Sequence, residues 1–247
     1  MNTIAKTVAA GVIGLAICAA PSLRANPVTV VNTGTSPGVT VDVHLPIYNG
    51  GAYAGVENLQ INFGSGNVSV QAYCIDLYHF SSGSSLNYNI DLLSGSPTAN
   101  PPKAMGAEKA DFIKEMWAQY YGPSLTDATK AGDFQLAIWG VLQGSFTPTG
   151  AMMPNWDWLG DGITPAATPY GADAIINWAN TNSYSGALPD VVGLNAVIVP
   201  GVTGPQSYAI PGDPSYDPSP GVPDGGLTVV LLGMSMLGLG VVRRMAK

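Results

Sequence analysis

Two side chains of this chain are of the types that can form an internal covalent bond. Cys74 lies within Tyr73-Cys74-Ile75-Asp76, and a later segment carries Gln135 within Phe134-Gln135-Leu136-Ala137-Ile138-Trp139. A thiol and a carboxamide in contact can condense to a thioester with loss of ammonia. A thioester is an electrophile, so a nucleophile on another molecule can open it and become bonded to the protein. Cys74 and Gln135 are therefore the candidate reactive pair.

Formation of this bond requires a proton for the departing ammonia and an enclosure that keeps water away. Asp76 lies two residues after Cys74, on the same face of an ideal strand, and is the first candidate for a proton relay. His79 is the second candidate, because a turn near Tyr78 could carry it away. An apolar pocket is predicted from five neighbouring side chains, Tyr73, Ile75, Phe134, Ile138 and Trp139.

The sequence around each residue predicts the element that carries it. Val68, Val70 and Ala72 alternate with polar or larger residues, so Cys74 continues one apolar face of a β-strand. Gln135 falls in a predicted helix that starts at Thr126 or Asp127, a suitable N-cap, and runs to Leu142. The contact between the pair thus requires a helix packed against a strand.

The whole pattern predicts an α+β fold. Residues 26–210 form a predominantly antiparallel β domain, sandwich or barrel-like, with a helical insertion at about 101–182. The predicted strands are 28–31, 39–47, 59–63, 68–74, 86–92, 191–199 and 206–210. Three helices are predicted. The first follows Pro101-Pro102 and ends at Gly122-Pro123, the second ends at Leu142, and the third covers 172–180.

The N-terminus has the features of an export signal. A positive residue, an uncharged run and a small-residue site predict a signal peptide over residues 1–25, cut after Ala25. Cys18 lies inside it, in a context similar to a lipoprotein box, but with the bulky Ile17 where a small residue is preferred. Removal of this segment leaves Cys74 as the single cysteine, so no intramolecular disulfide is expected.

The C-terminus predicts a processed tail. Residues 211–221 form a Pro-rich spacer, and 222–247 hold Val222-Pro223-Asp224-Gly225-Gly226, an uncharged helix at 227–242, and Arg243 with Arg244. Sixteen helical residues span about 24 Å, less than a hydrocarbon core of about 30 Å. The basic end would stay on the cytoplasmic side and leave the domain outside. An ordinary single-pass anchor is the alternative.

Charge excludes some functions of the exported part. Residues 26–223 contain four lysines, no arginine and fifteen acids, a formal charge of −11. Such a surface repels phosphate backbones, so nucleic-acid binding is not expected. Two histidines and one mature cysteine without ligand spacing predict no metal site, and no cofactor is expected.

The segment from Val68 to Leu142 resembles the bacterial thioester domains of the TQXA family. The resemblance rests on Tyr73 before Cys74 and Trp139 after Gln135, and it departs at Phe134, where threonine is usual. It implies a Cys74–Gln135 thioester. The tail resembles the PEP-CTERM sorting signals of Gram-negative bacteria, in the VPDSG variant with Gly225 in place of serine, which implies an exosortase-type processing enzyme.

Together these resemblances imply an exported adhesion protein at the cell surface or in the extracellular matrix. Its C-terminal helix would hold it in the membrane until processing. The thioester would attach it once to an extracellular amine or hydroxyl, so it is not expected to be an enzyme.

Other interpretations stay open at this point. Cys74 could be a small core residue. Cys74, His79 and Asp76 could form a thiol hydrolase set, although such sets are defined by geometry rather than by sequence proximity. A structural or carbohydrate-binding surface protein, with exposed Trp156 and Trp158 stacking on sugars, is the principal alternative to a thioester protein.

Overall fold

The computed structural model describes residues 27–45, 48–64, 66–79, 83–97, 103–159, 171–182, 184–197 and 205–212. Its elements in chain order are β1 Val28–Leu45, β2 Tyr48–Asn62, β3 Asn67–Cys74, β4 Leu86–Leu92, a 3₁₀ turn Leu93–Gly95, α1 Gly106–Ser124, α2 Ala128–Gln143, β5 Ser145–Phe146, β6 Met152–Met153, α3 Ala172–Thr181, β7 Val191–Ala196 and β8 Tyr208–Pro211. The predicted α+β class and antiparallel pairing are confirmed. The predicted signal peptide and sorting tail lie outside the described residues.

Six strands close into an antiparallel barrel in the order β1-β2-β3-β8-β7-β4. The barrel form decides between the two predicted β architectures. Closure depends on a short contact between β3 and β8, in which Tyr73 pairs with Ala209 and Cys74 pairs with Tyr208. The three α-helices of the described residues come between β4 and β7 in the chain, at the position predicted for the helical insertion.

The first strand differs from the prediction of two separate strands. β1 runs without a break from Val28 to Leu45, with register shifts between Asn32 and Gly34 and between Thr35 and Gly38. These irregularities let one long strand bend while it stays paired with β2. The turn-forming residues at 33–38, which predicted a break between two strands, therefore form bulges within one strand.

The first helix also extends beyond its predicted end. α1 includes Pro123 and ends at Ser124, where Leu125 donates its N–H to the carbonyl of Gly122. Proline lacks only one donor, so the last turn of a helix can accommodate it. The predicted N-cap of α2 is confirmed, because the Asp127 carboxylate accepts from the N–H groups of Thr129 and Lys130 at 2.9 and 3.0 Å.

Two apolar layers stabilise this arrangement. One fills the barrel with side chains from all six strands: Val28, Val30, Leu59, Ile61, Val70, Ala72, Tyr88, Leu194, Ala196, Tyr208 and Ile210. The other lies between the helices and the outer face of the sheet and includes Tyr73, Ile113, Met116 and Phe134. Alternate residues of β3 thus enter different layers, since strand side chains alternate between faces.

Candidate functional site

Cys74 is the last residue of β3 and is only 1% exposed. Strand alternation places it on the same face as Val70 and Ala72, but at the strand end it belongs to the apolar layer that includes Phe134 and Trp139. The chain then turns around the sulfur: the thiol donates to the Asp76 carbonyl at 3.1 Å, and Sγ accepts from the Asp76 N–H at 3.2 Å. The reactive atom is therefore enclosed by its own main chain at the end of the barrel.

The structure brings the Gln135 side chain to the main chain of Cys74 and not to its sulfur. Gln135 Oε1 accepts from the Cys74 N–H, and Gln135 Nε2 donates to the Cys74 carbonyl, both at 2.8 Å. The pairing between β2 and β3 reaches only Glu57 opposite Ala72, so the Gln135 amide takes the place of the next strand residue. The predicted proximity is present, while both polar atoms of the Gln135 amide are engaged by the main chain.

A glycine lets α2 approach the sheet closely enough for this contact. A Cβ built on Gly132 would lie 2.5 Å from Cγ2 of Val39 on β1, a distance that real side chains do not adopt. Gly132 is three residues before Gln135, so both lie on the same side of the helix. The glycine therefore helps to bring the Gln135 amide within reach of β3.

The side chain on the sulfur is that of Gln206. Gln206 Nε2 donates to Cys74 Sγ at 2.6 Å and to the Asp76 carbonyl at 3.3 Å. Its Oε1 is buried without a hydrogen-bond partner. Because the C–N bond of an amide is about 1.33 Å, Gln206 Cδ lies within about 4 Å of the sulfur.

Sequence reasoning placed Gln206 at the start of a short strand but did not assign it to the site. The available signal was weak, namely a glutamine next to β-branched and aromatic residues. Nothing in that segment indicates that β8 pairs with β3, 132 residues away. Barrel closure alone brings Gln206 to Cys74.

Asp76 and His79, the two predicted relay residues, form a pair. His79 Nδ1 lies 2.7 Å from Asp76 Oδ2, and Asp76 Oδ1 accepts from the Tyr78 N–H at 3.0 Å. The turn near Tyr78 thus brings His79 onto Asp76 instead of carrying it away. Burial raises the pKa of the Asp76 carboxyl, and the adjacent His79 opposes that shift.

The environment keeps Cys74 in its thiol form. Burial raises the pKa of Cys74 well above its usual value, and the neighbouring Asp76 carboxyl adds to the effect. A buried thiol of this kind is a weak nucleophile until a base removes its proton. Any reaction at this sulfur therefore needs proton transfer as it proceeds.

A cavity of about 150 Å³ reaches this group of side chains. Gln206, Asp76, His79, Trp139 and Glu57 all line it, together with apolar residues of the β1–β2 pair. The indole Nε1 of Trp139 lies near the sulfur, is buried, and has no partner in hydrogen-bond geometry. The cavity therefore adjoins the three side chains that surround the sulfur, namely Gln206, Asp76 and Trp139.

Trp139 is the one member of the predicted apolar pocket that lines this cavity. Tyr73 and Phe134 lie in the layer beneath the helices, with ring centroids 4.8 Å apart. Ile75 lines a separate cavity of about 350 Å³, and Ile138 is completely buried in the helical layer. All five predicted pocket residues belong to the same apolar layer as Cys74, although only Trp139 reaches the cavity beside the sulfur.

The two loop tryptophans fold inward. Trp158 is buried edge-on against Trp139, with centroids 5.8 Å apart, and its indole N–H donates to the Asn155 carbonyl at 2.6 Å. Trp156 is partly buried and donates to the Asp173 carboxylate at 2.9 Å. The expectation that these rings are exposed for sugar stacking is therefore wrong.

Two kinds of feature are absent from the described residues. They contain no cluster of three or more metal-ligating side chains. No helix within the described ranges is both long and apolar enough to span a membrane. The sorting-motif residues Val222 to Gly226 and the two terminal arginines fall outside those ranges.

Comparisons of the chain with protein-family models, curated proteins and solved structures give no match.

Proposed function

We propose that this chain is an exported surface or matrix protein that attaches itself covalently to an extracellular target through an internal thioester. We further propose Gln206, not Gln135, as the acyl partner of Cys74. The observation that carries the proposal is the contact between the Gln206 carboxamide and the Cys74 sulfur at 2.6 Å. The Gln135 amide is held by two bonds to main chain and acts as a positioning residue.

The condensation balances without any added reagent. Cys74 Sγ bonds to Gln206 Cδ, the Cδ–Nε2 bond breaks, and the thiol proton leaves with the amide nitrogen as ammonia. Because the Cys74 thiol is neutral, its proton must be transferred as the sulfur attacks. The buried Asp76–His79 pair lines the same cavity and is the proposed relay.

The tetrahedral intermediate needs a donor for its negative oxygen. Gln206 Oε1 and Trp139 Nε1 are a buried acceptor and a buried donor that both lack partners at the same cavity. Preorganised donors of this kind stabilise developing oxyanions strongly in a dry site. Trp139 is therefore the proposed oxyanion donor, both when the bond forms and when it opens.

Attachment is the reverse exchange with a new nucleophile. An extracellular amine or hydroxyl adds to the Gln206 carbonyl, the S–C bond breaks, and a proton returns to sulfur. Each molecule reacts once, so the protein is not an enzyme. The sequence resemblances to thioester domains and to exosortase-sorted tails support the attachment role, with the C-terminal helix as a temporary membrane anchor. The thioester-domain resemblance by itself assigns the acyl group to Gln135, so the choice of Gln206 depends on its contact with the sulfur.

A thiol hydrolase is less well supported. The Cys74 thiol donates to the Asp76 carbonyl, and the hydrogen bond found for the His79 ring goes to Asp76. A sugar-binding role loses its proposed platform, because Trp156 and Trp158 pack inward.

Mass spectrometry of the exported protein tests the proposal. The intact mass is expected to fall one ammonia short of the sequence mass, and methylamine should add to Gln206 while it frees the Cys74 thiol. Tandem spectra distinguish the two glutamines, and methylamide on Gln135 would return the acyl role to that residue. A full sequence mass with a thiol that is free from the outset would reject the thioester.

A further inference from the structure

Glu57 is a buried acid in the same cavity to which the proposed reaction assigns no role. It lies on β2, is 4% exposed, and lines the cavity together with Gln206 and Asp76. Its Oε2 accepts from Asn32 Nδ2 on β1 at 2.5 Å. One amide donor neutralises only part of the cost of burying a carboxylate.

The strand register places Glu57 close to the sulfur. Glu57 is directly opposite Ala72, and Cys74 is two residues further along β3. Directly opposed residues of an antiparallel pair face the same side, and diagonal neighbours lie about 7–8 Å apart. The carboxyl of Glu57 and the sulfur of Cys74 therefore lie on the same face of the sheet, close enough to interact electrostatically.

The groups around Glu57 are acidic or neutral. Four groups interact with it electrostatically: Tyr53 on β2, Cys74 on β3, Tyr88 on β4 and Tyr208 on β8. Asp76, just after β3, interacts with Cys74 and Tyr88. His79 is the one basic side chain among the residues that line the cavity. Burial raises the pKa of Glu57 to about 7, so the carboxylate accepts a proton readily near neutral pH.

We propose that Glu57 is the proton acceptor for a positively charged amine that enters the cavity to open the thioester. This inference rests on the proposed function. An ammonium group cannot attack a carbonyl until it loses a proton, and it enters an acidic cavity more easily than an anion does.

The step balances in protons and bonds. Glu57 takes one proton from R–NH₃⁺, and the resulting amine adds to the Gln206 carbonyl. The S–C bond then breaks, and the second proton lost by nitrogen goes to the departing Cys74 sulfur. The products are a substituted amide, a thiol and a protonated Glu57.

A comparison of two nucleophiles tests this role. Methylamine is almost entirely charged at neutral pH, while hydroxylamine is largely uncharged. Glu57→Gln is expected to slow capture of methylamine on the order of 100-fold, the scale of general-base catalysis. Capture of hydroxylamine should keep the wild-type rate, because that nucleophile arrives already deprotonated.

The controls separate the failure of this inference from that of the proposed function. Glu115→Gln, an acid on α1 away from the cavity, should leave both rates unchanged. Equal slowing of both nucleophiles by Glu57→Gln would indicate a structural role and overturn the inference, as would unchanged methylamine capture. If Glu57→Gln lacks the ammonia deficit while the wild type shows it, Glu57 is needed to form the thioester and not to open it. Absence of the deficit from the wild type would reject the thioester itself.

Discussion

The carboxamide of Gln135 forms a closed two-bond ring with the main chain of Cys74, with both donor–acceptor distances at 2.8 Å. In a barrel, each strand end needs a hydrogen-bond partner for its main chain. The ring provides one at the point where β2 no longer pairs with β3, and it joins the helical layer to the reactive strand. The sulfur is consequently left to Gln206.

Replacement of Gln135 should therefore affect the fold first. Gln135→Ala leaves the Cys74 N–H and carbonyl buried without partners, at a cost of about 1–3 kcal/mol for each group. Urea denaturation should show this loss in the free energy of unfolding. Gln143→Ala, at the end of the same helix and half-buried, is the matched control and should be much milder. Equal stability of the two variants would contradict the positioning role.

Replacement of Gln206 should affect the chemistry first. Gln206→Ala removes the proposed acyl carbon, so the ammonia deficit and methylamine capture should both disappear. It removes one long hydrogen bond to the Asp76 carbonyl, which also accepts from the Cys74 thiol, so the loss of stability should be smaller than for Gln135→Ala, which removes two. Intact mass and denaturation on the same samples check this contrast. A persistent ammonia deficit in Gln206→Ala would show that another carboxamide is the acyl partner.

Replacement of Asp76 tests the proton relay. Asp76→Asn keeps an acceptor for the Tyr78 N–H but cannot carry a proton for the Cys74–Gln206 condensation. Thioester formation should slow by about 100-fold or more, the usual contribution of acid–base catalysis. The fraction of freshly folded protein that lacks one ammonia gives the measurement. Full occupancy in Asp76→Asn would eliminate the relay assignment.

Replacement of Trp139 tests the oxyanion donor. Trp139→Phe removes the indole N–H but keeps an aromatic ring, and loss of one such donor slows reactions about 100- to 1000-fold. The rate of methylamine capture is the readout. Trp158→Phe is a close control, since its N–H donates to the Asn155 carbonyl and not into the cavity. Similar rates for the two variants would rule out a special role for Trp139.

Glu57 should make stability depend on pH. Its pKa rises from 4.5 in the unfolded chain to about 7 in the fold, so the folded state binds more protons between these values. Its contribution is therefore fully present below about pH 4.5 and is lost as pH rises through 7. A shift of this size corresponds to about 3 kcal/mol.

Glu57→Gln isolates that contribution. The variant should be more stable than the wild type above pH 7, and the difference should vanish near pH 4. Urea denaturation across this range measures it. Asp76 and Glu115 also have raised pKa values through burial, so some pH dependence should remain in the variant. An unchanged pH dependence would mean that the Glu57 carboxylate is well solvated in the fold.

Local sequence patterns predicted most of the elements. The alternation that ends at Cys74, the Asp127 N-cap and the apolar face of α2 each depend on neighbours within a few residues, and all three are present in the fold. The contact between Cys74 and Gln135 was also predicted, from their types and their flanking motifs. The Gln135 amide meets the main chain of Cys74 and not its sulfur, because the pairing between β2 and β3 stops just before Cys74.

Two local predictions were wrong for local reasons. Bulges fused two predicted strands into β1, and α1 continued one residue past Pro123. Turn-forming residues and proline favour a break. Pairing with β2 overrides that preference in β1, and helix packing overrides it at the end of α1.

The sequence by itself determined the composition of the site: a single thiol among the described residues, carboxamides, an acid and a histidine in an acidic chain. Only the tertiary structure decided which carboxamide meets the sulfur. Gln206 reaches Cys74 because β8 closes the barrel against β3, and such long-range pairing leaves no periodic signal in either segment. The helical insertion likewise meets the strand end only in the fold, where Tyr73, Cys74 and Trp139 belong to one apolar layer.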